Sequence, residues 1–203
     1  MVQGTKSEVK ENSAVPAHAE PSQKNPNLNA ILKCAKRYDR RCPMYIHIDH
    51  DHLILETESD VEQKVVMPLL AGQAYLAIPA NWIFTKGYMA PTALDKAAGR
   101  AKGYYPDYSI WSHGFPIMVV EVKAPEVSTE VGYREASLYA RHLNQNYATE
   151  INPCRFLVST NGRSVLFGYW DSAPVLSVDV SDLRPGSAAL ESLQEKCARS
   201  LTA

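Results

Sequence analysis

The sequence predicts an α/β domain in which helices flank a central β-sheet. Residues 116–122 form an apolar run at both odd and even positions, which is typical of an inner strand covered on both faces. Segments 57–73 and 128–147 carry apolar residues at helical spacing, which predicts two amphipathic helices. Two pairs of apolar segments are separated by short turn sequences, which predicts two β-hairpins.

The composition is that of a folded domain with little net charge. The chain has 203 residues, 45% of them apolar, which suits one domain with a substantial core. Its net charge of −1 gives no whole-chain sign of nucleic-acid binding. The four cysteines contain no C-x-x-C pair, which argues against a zinc ribbon and indicates buried thiols in a reducing compartment. Because neither a secretory signal nor a long apolar run occurs, we expect a cytoplasmic protein that does not enter a membrane.

The first part of the chain is predicted to change from disorder to helix. Residues 1–27 are poor in large apolar side chains, which predicts a disordered tail. Residues 27–39 have helical spacing, and residues 44–58 alternate and then turn, which predicts a helix followed by a strand or hairpin. Pro68 limits how far the helix over 57–73 continues as a regular helix.

The rest of the chain is predicted to supply the sheet. The strand candidates are 81–89, 106–111, 116–124, 155–160, 163–170 and 175–180. A four-residue turn at 112–115 would pair Trp111 with Pro116 and Ile110 with Ile117. Asn161-Gly162 suits a type I′ turn in the second hairpin. We therefore expect a tail over 1–27, a domain over 28–180 with its core at about 56–170, and a C-terminal loop and helix over 181–203.

The pattern Glu-x-Lys occurs three times, and its context separates the copies. Glu8-x-Lys10 lies in the predicted tail, where nothing holds two side chains in one geometry. The copy that begins at Glu62 lies on a helix, where residues two apart diverge, so solvated surface is the simpler interpretation. Glu121 and Lys123 end the apolar strand and point to the same face. Charges at such a place are costly unless they are paired or coordinated.

The first hairpin brings Asp107 opposite residue 120 or 121. Cross-strand neighbours lie about 5 Å apart, so Asp107 and Glu121 would together hold one hard divalent cation such as Mg²⁺. Lys123 would orient a water molecule or stabilise charge on a phosphate. The trio thus has the parts for metal-assisted phosphodiester hydrolysis, and a structural ion pair at the sheet edge is the alternative.

The sequence contains two other polar clusters. His47-Ile48-Asp49-His50-Asp51-His52 looks like a metal cluster, but strand residues i and i+2 lie about 6–7 Å apart, so a polar turn is the simpler interpretation. Basic residues before the hairpin are candidate DNA phosphate contacts, with a solvated loop as the alternative. They are Lys86, Lys96, Arg100 and Lys102. Tyr104, Tyr105 and Trp111 would stack on bases or belong to the core.

The segment "YPDYSIWSHGFPIMVVEVKAP" resembles the PD-(D/E)xK nuclease superfamily, most of all the N-terminal nuclease domain of type I restriction enzyme R subunits. The segments "TESDVEQKVVMPLL", "REASLYARHL" and "RFLVSTNGRSVLFGY" are similar to that domain's leading helix, later helix and following hairpin. The resemblance spans about residues 56–170 and implies a restriction-endonuclease-like fold with a mixed central sheet.

The resemblance implies roles for single residues. Asp107 and Glu121 match metal-binding carboxylates, Lys123 matches the catalytic lysine, and the Val122 carbonyl would complete the metal shell. The leading helix adds an acid, for which Glu58 is the best match and Glu62 a weaker one. Where the family often has Gln-x-x-x-Tyr, this chain has Glu135 and Tyr139. Ionised Glu cannot donate a hydrogen bond as Gln does, so the role of position 135 is the point of departure.

The resemblance also implies the reaction and the partners. We expect a Mg²⁺-dependent DNA endonuclease, with Mn²⁺ as a substitute, that acts in restriction or defence against foreign DNA. A homodimer or a larger defence complex would be its assembly. The sequence lacks G-x-x-x-x-G-K-S/T, so it carries no phosphate-binding loop of a helicase motor. A catalytically degenerate domain that binds DNA or anchors a larger complex is the alternative function.

Overall fold

A computed structural model describes residues 46–91, 96–97, 99, 103–148 and 150–202, with the backbone alone for 198–202. The predicted tail and the predicted helix over 27–39 lie outside the described residues, as do Arg100 and Lys102. In the part of the chain that the structure describes, no helix has both the length and the apolarity needed to cross a bilayer.

Within the described residues, six strands form one mixed sheet in the order β1-β2-β3-β4-β5-β6. The strands are β1 Ile83–Thr85, β2 Tyr108–Ser112, β3 Phe115–Val122, β4 Phe156–Thr160, β5 Ser164–Tyr169 and β6 Pro174–Asp179. Neighbours pair antiparallel except β3 and β4, which are parallel. A parallel pair needs a long crossover connection, and a helix supplies it here. The predicted mixed central sheet is confirmed.

Helices cover both faces of this sheet. The leading helix is built from α1 Glu58–Val61, a π-helical turn Glu62–Val66 and α2 Met67–Ala71, and the later helices are α3 Thr129–Asn144 and α4 Ala188–Thr202. Two short 3₁₀ turns, Ala80–Trp82 and Val180–Asp182, join the strands to neighbouring segments. The leading helix, α4 and one sheet face share one apolar cluster, whereas α3 packs on the other face in a second cluster. The predicted helix-flanked α/β fold is therefore confirmed.

The leading helix begins at a side-chain cap and passes Pro68 through the π-helical turn. Thr57 accepts a hydrogen bond from the Asp60 backbone N–H, and the Asp60 carboxylate accepts one from the Thr57 N–H, which forms a capping box. Pro68 lacks an N–H and would collide with a carbonyl one regular turn earlier. The Met67 N–H bonds instead to the Glu62 carbonyl, so the chain stays helical to Ala71.

Residues 46–56 form neither a strand nor a hairpin, so that prediction was wrong. Side chains satisfy backbone groups of this segment in place of a neighbouring strand. The Ile48 N–H donates to the Tyr75 hydroxyl at 3.3 Å, and the Ile54 carbonyl accepts from Lys64 Nζ at 2.8 Å. The segment turns at 50–52, where His52 lies within 3.3 Å of Asp49.

Both predicted hairpins exist, with two corrections of detail. Trp111 pairs with Pro116 as predicted, but a bulge between Ile110 and Trp111 pairs Ile110 with Met118, not Ile117. The loop after β4 is longer than a two-residue turn, and of Asn161 and Gly162 only Gly162 has a positive φ. The Asn161 side chain accepts hydrogen bonds from the N–H groups of residues 163 and 164, so it stabilises the loop with its amide oxygen.

A test of the core compares two leucines of opposite exposure. Leu69 in α2 is 1% exposed and packs under the sheet, whereas Leu138 on the outer face of α3 is 59% exposed. We expect Leu69→Ala to lower the free energy of unfolding by about 2–5 kcal/mol, because it removes buried contacts and leaves a cavity. Leu138→Ala should change it by less than about 0.5 kcal/mol. Urea denaturation measures both, and equal effects would contradict the described packing.

Candidate active site

Asp107 precedes β2 and turns its carboxylate towards the end of β3. Asp107 Oδ2 accepts a hydrogen bond of 2.8 Å from the Val122 N–H, and the Asp107 carbonyl accepts one from the Lys86 N–H at 3.0 Å. Tyr108 pairs with Val120, so one further step along both strands sets Asp107 beside Glu121. The structure therefore brings these two predicted carboxylates together.

The leading helix supplies two more carboxylates. Oxygen atoms of Glu58, Glu62 and Asp107 all lie within 4.8 Å of one another. Positions i and i+4 share one helix face, and Glu62 begins the π-helical turn. Glu58 was the predicted ligand, and the structure gives Glu62 an equal place beside it. The family resemblance was the sequence signal for both residues, with Glu62 as the weaker match.

Lys123 lies between two carboxylates. Its Nζ is 2.9 Å from Glu121 Oε1 and 2.7 Å from Glu135 Oε2. Glu121 is buried on β3, and Glu135 reaches the lysine from α3 with 40% of its side chain exposed. Although burial lowers the pKa of Lys123, hydrogen bonds to Glu135 and Glu121 raise it above its usual value. The lysine therefore stays charged.

Glu121 is a buried carboxylate whose ionisation is disfavoured by its surroundings. Burial raises its pKa to about 8, and repulsion from Asp107 adds to that effect, while the hydrogen bond from Lys123 opposes it. The pKa of Asp107 is also raised, first by burial, although the hydrogen bond from the Val122 N–H opposes this. Glu121 Oε2 is buried and has no hydrogen-bond partner among the described residues. Such a buried oxygen calls for a compensating group.

Tyr139 joins the site from α3, four residues after Glu135. Its hydroxyl is half-buried, and burial, followed by repulsion from Glu121, raises its pKa to about 12. Its ring lies 5.9 Å from that of Tyr104. At neutral pH Tyr139 is therefore a neutral hydroxyl, which can donate one hydrogen bond.

The predicted basic residues are placed differently from one another. Lys86 Nζ is 3.1 Å from Glu62 Oε1, and its φ of 47° puts it in the left-handed region. The hydrogen bond to Glu62 raises the pKa of Lys86. Lys96 is exposed. The sequence did not predict the pairing of Lys86 with Glu62, because it depends on a contact between distant segments.

Gly132 lets α3 approach the site closely. A Cβ at this position would collide with Ser159 Oγ and lie 3.2 Å from Lys123 Cγ and 3.6 Å from Glu121 Cγ. Ser159 is fixed, because its hydroxyl donates to the Thr129 carbonyl at 2.9 Å. The absence of a side chain at residue 132 therefore sets the place of the lysine and the glutamate beneath it.

The donor set fits a hard divalent cation. Five carboxylates and two lysines meet here, so the group carries more negative than positive charge when all are ionised. Mg²⁺ and Mn²⁺ favour oxygen ligands of this kind. Asp107, with Glu58 and Glu62, has its oxygens close together, and Glu121 has a buried oxygen without a partner. These four residues are the ones that would hold an ion.

One comparison with known proteins covers the part of the chain that holds most of this site. Residues 95–171 match the family model of the type I restriction enzyme R protein N terminus. The match includes Asp107, Glu121, Lys123, Glu135 and Tyr139. Over these residues the resemblance predicted from the sequence is confirmed, and with it the restriction-endonuclease-like class of the mixed sheet.

A solved structure described as "cryoEM structure DrdV-DNA complex" shares 16% sequence identity, with 69% of this chain and 80% of that chain covered and a TM-score of 0.41. No curated protein matched the sequence.

The close approach at Gly132 gives a first test of this site. Gly132→Ala should lower the free energy of unfolding by about 1–2 kcal/mol, because overpacking of the contact of α3 with Ser159 and Lys123 costs about 1–3 kcal/mol and the higher helix propensity of alanine offsets about 0.5–1 kcal/mol of it. Gly87→Ala is the matched control, since a Cβ there meets nothing within 4 Å. Chemical denaturation of both variants checks this. A Gly132→Ala variant as stable as the control would show that α3 does not press on the site.

The raised pKa of Glu121 predicts how cation binding depends on pH. Because the pKa of Glu121 is about 8, the folded, metal-free protein holds a proton on Glu121 below about pH 8. This proton has to leave before the carboxylate binds a cation. Mn²⁺ affinity should therefore rise between about pH 6.5 and about pH 8.5, by up to about tenfold per pH unit. Calorimetric titration measures it. Glu121→Gln should flatten the rise, and a flat wild-type profile would contradict the assignment.

Proposed function

We propose that this chain is a metal-dependent deoxyribonuclease that hydrolyses phosphodiester bonds within DNA strands. One observation carries the proposal: Asp107 and the Glu121–Lys123 pair meet at the end of β3, beside Glu58 and Glu62. The match of residues 95–171 to a restriction-enzyme domain supports it. The same match supports a role in restriction or defence against foreign DNA, in the cytoplasm.

Asp107 and Glu121 would be the principal metal ligands, with Glu58, Glu62 and the Val122 carbonyl completing the set. Mg²⁺ is the expected ion, and Mn²⁺ would substitute because both accept oxygen ligands in an octahedron. A bound ion would lower the pKa of a coordinated water molecule and offset negative charge on the phosphate. The Val122 N–H holds Asp107 Oδ2 at 2.8 Å, which keeps that carboxylate oriented before an ion arrives.

Lys123 would position the attacking water or stabilise charge on the phosphate, and its raised pKa keeps it a cation. Glu135 accepts a hydrogen bond from Lys123 at 2.7 Å and so fixes the direction of the ammonium group. Tyr139, neutral at working pH, would donate a hydrogen bond from the same helix face. These three residues would bind and orient the reacting groups.

Lys86 and Lys96, with Arg100 and Lys102, would contact DNA phosphates. Phosphate contacts weaken with salt because binding releases counterions. Lys86 is paired with Glu62 at 3.1 Å, so its contribution to DNA binding would depend on a cation that neutralises Glu62. One such site cuts one strand, so double-strand cutting would require a homodimer, a larger complex or two visits.

A second function is favoured by the partners of Lys123. Both of them, Glu121 and Glu135, are acids, whereas the resembling family often has Gln at position 135. Two carboxylates compete with a phosphate for one ammonium group. A domain that binds DNA without cutting it, or that anchors a larger complex, would fit this arrangement.

Cutting assays with one lysine variant and a matched lysine control test the proposal. Supercoiled plasmid and linear DNA are incubated with Mg²⁺, Mn²⁺ or EDTA. Lys123→Ala should reduce metal-dependent cutting by about 10²–10³-fold, because it removes the cation beside the reacting phosphate. Lys64→Ala changes a lysine that pairs with Asp60 on the leading helix and should leave the rate unchanged.

Two outcomes would contradict the nuclease. Wild-type protein that is folded but cuts no DNA with any metal would do so, and salt-sensitive DNA binding in that case would support the binding domain. A Lys123→Ala variant that cuts at the wild-type rate would show that the cutting comes from elsewhere.

A further inference from the structure

A cleft of about 540 Å³ lies beside the candidate active site, on the side of the sheet that α3 covers. This volume is in the range of pockets that hold small organic ligands, about 300–1,000 Å³. None of its lining residues belongs to the carboxylate group. The cleft is formed by the chain after β1, by β2 and by the end of α3. Its lining includes Phe84, Tyr88, Met89, Pro106, Trp111 and Leu143, together with three polar side chains at the end of α3 and in β2.

Several aromatic rings lie in the cleft and at its rim. Phe84 and Tyr88 line it with 52% and 61% of their surface exposed, and Tyr105, 56% exposed, lies against Tyr88 with ring centroids 5.4 Å apart. Phe84 meets Trp111 edge-on at 6.1 Å. Isolated exposed apolar residues are ordinary, but a contiguous exposed patch marks a binding surface. Flat faces of this kind are the usual platforms for nucleobases.

The ring of Tyr88 packs against the backbone of Gly103. A Cβ at Gly103 would collide with Tyr88 Cε2 and would lie 2.8 Å from the Met89 carbonyl oxygen. The tyrosine ring thus lies against bare backbone, and the Met89–Tyr104 bridge holds the two chain segments together through hydrogen bonds of 2.9 and 3.0 Å. A ring held in place loses little freedom when a ligand stacks on it.

Neighbours in the chain and one ring contact set the cleft next to the carboxylate group. Pro106 lines the cleft, and the next residue is Asp107. Lys86, which pairs with Glu62, lies between Phe84 and Tyr88 in the sequence. On the α3 side, the ring of Tyr104 contacts that of Tyr139. A nucleotide chain with a phosphate at the carboxylates would therefore have an adjoining base within reach of the cleft.

Charge alone gives this chain a weak hold on DNA. The net charge is −1, and Lys86 and Lys123 are both held by carboxylates. Binding that depends on phosphate neutralisation is correspondingly limited. Stacking on aromatic rings does not need excess positive charge, and one stacked base changes affinity by about 5- to 150-fold. The aromatic cleft is the feature that would supply this contribution.

We propose that the cleft receives an unpaired nucleobase next to the cut phosphate, so that the substrate of this site is single-stranded or locally unpaired DNA. The inference that such DNA is a substrate rests on the proposed nuclease function. The inference that the cleft binds an unpaired base does not depend on that function. Bases inside a duplex are paired and stacked, so they reach such a cleft only when the strand is open. Stacking accepts any base, so little sequence preference is expected.

The test measures binding in EDTA, where metal-dependent cutting does not occur. Fluorescence anisotropy compares a labelled single strand, the matching blunt duplex and an abasic strand of the same length, which keeps the phosphates and lacks the bases. The single strand should bind about tenfold more tightly than the other two. Tyr88→Leu should remove most of that advantage, because leucine keeps apolar bulk without a ring, and Tyr88→Phe should keep it. Leu138→Ala, similarly exposed at 59%, should have no effect.

Binding of all three probes with equal affinity would overturn the proposal, as would a Tyr88→Leu variant with wild-type selectivity. A segment of this chain that covers the cleft would give the first of these results. The binding result is independent of catalysis. Selective binding of the single strand without any cutting would support base binding in the cleft and contradict the proposed nuclease function. Equal cutting of duplex and single strand, with no effect of Tyr88→Leu, would support the nuclease function and contradict base binding in the cleft.

Discussion

The burial of β3 on both faces is the constraint on which the rest of the site depends. This strand is paired on both edges, to β2 antiparallel and to β4 parallel, and apolar clusters cover its two sides. Such a strand cannot shift by one residue without exposing its buried side chains. Its last residues are therefore held in register with the Asp107 side chain and with the end of β4.

The site consequently concentrates charged side chains at the end of β3, a strand whose position is fixed by its neighbours. Glu121 has lost most of its water, and repulsion from Asp107 adds to the cost of its ionisation. Lys123 offsets part of that cost, but it is shared with Glu135. The leading helix adds two acids, and among the described residues Lys86 forms an ion pair with one of them, Glu62. Both proposed ligands, a cation and a phosphate chain, would complete a charge arrangement that the protein alone leaves unbalanced.

Local signals in the sequence predicted most of the architecture. The apolar run of β3, the helical spacing of α3 and the hairpin that brings Asp107 to Glu121 are properties of short segments. The errors arose where a distant contact decides the outcome. Residues 46–56 alternate like a strand, yet Tyr75 and Lys64 bind their backbone groups. The bulge at Ile110 shifts a register that turn length alone could not set.

The same distinction applies to the candidate site. Asp107, Glu121 and Lys123 follow from strand periodicity and one turn, so they could be predicted. The position of Glu62 beside Glu58 and Asp107 depends on where the leading helix meets the sheet. The packing of Tyr88 on Gly103 depends on two segments that are joined by the Met89–Tyr104 bridge. Spacing within one segment carries no information about such meetings.

The π-helical turn at Glu62–Val66 has a consequence for how relatives of this chain are recognised. Such a turn accommodates one residue more than a regular helix of the same length. Glu58 stands before it and the buried Leu69 after it, so the acid and the core residues are out of step by one position. A relative with an unbroken helix would present the same acid one residue closer to its core leucines. An alignment with such a relative would therefore need a one-residue gap between the acid and the apolar face.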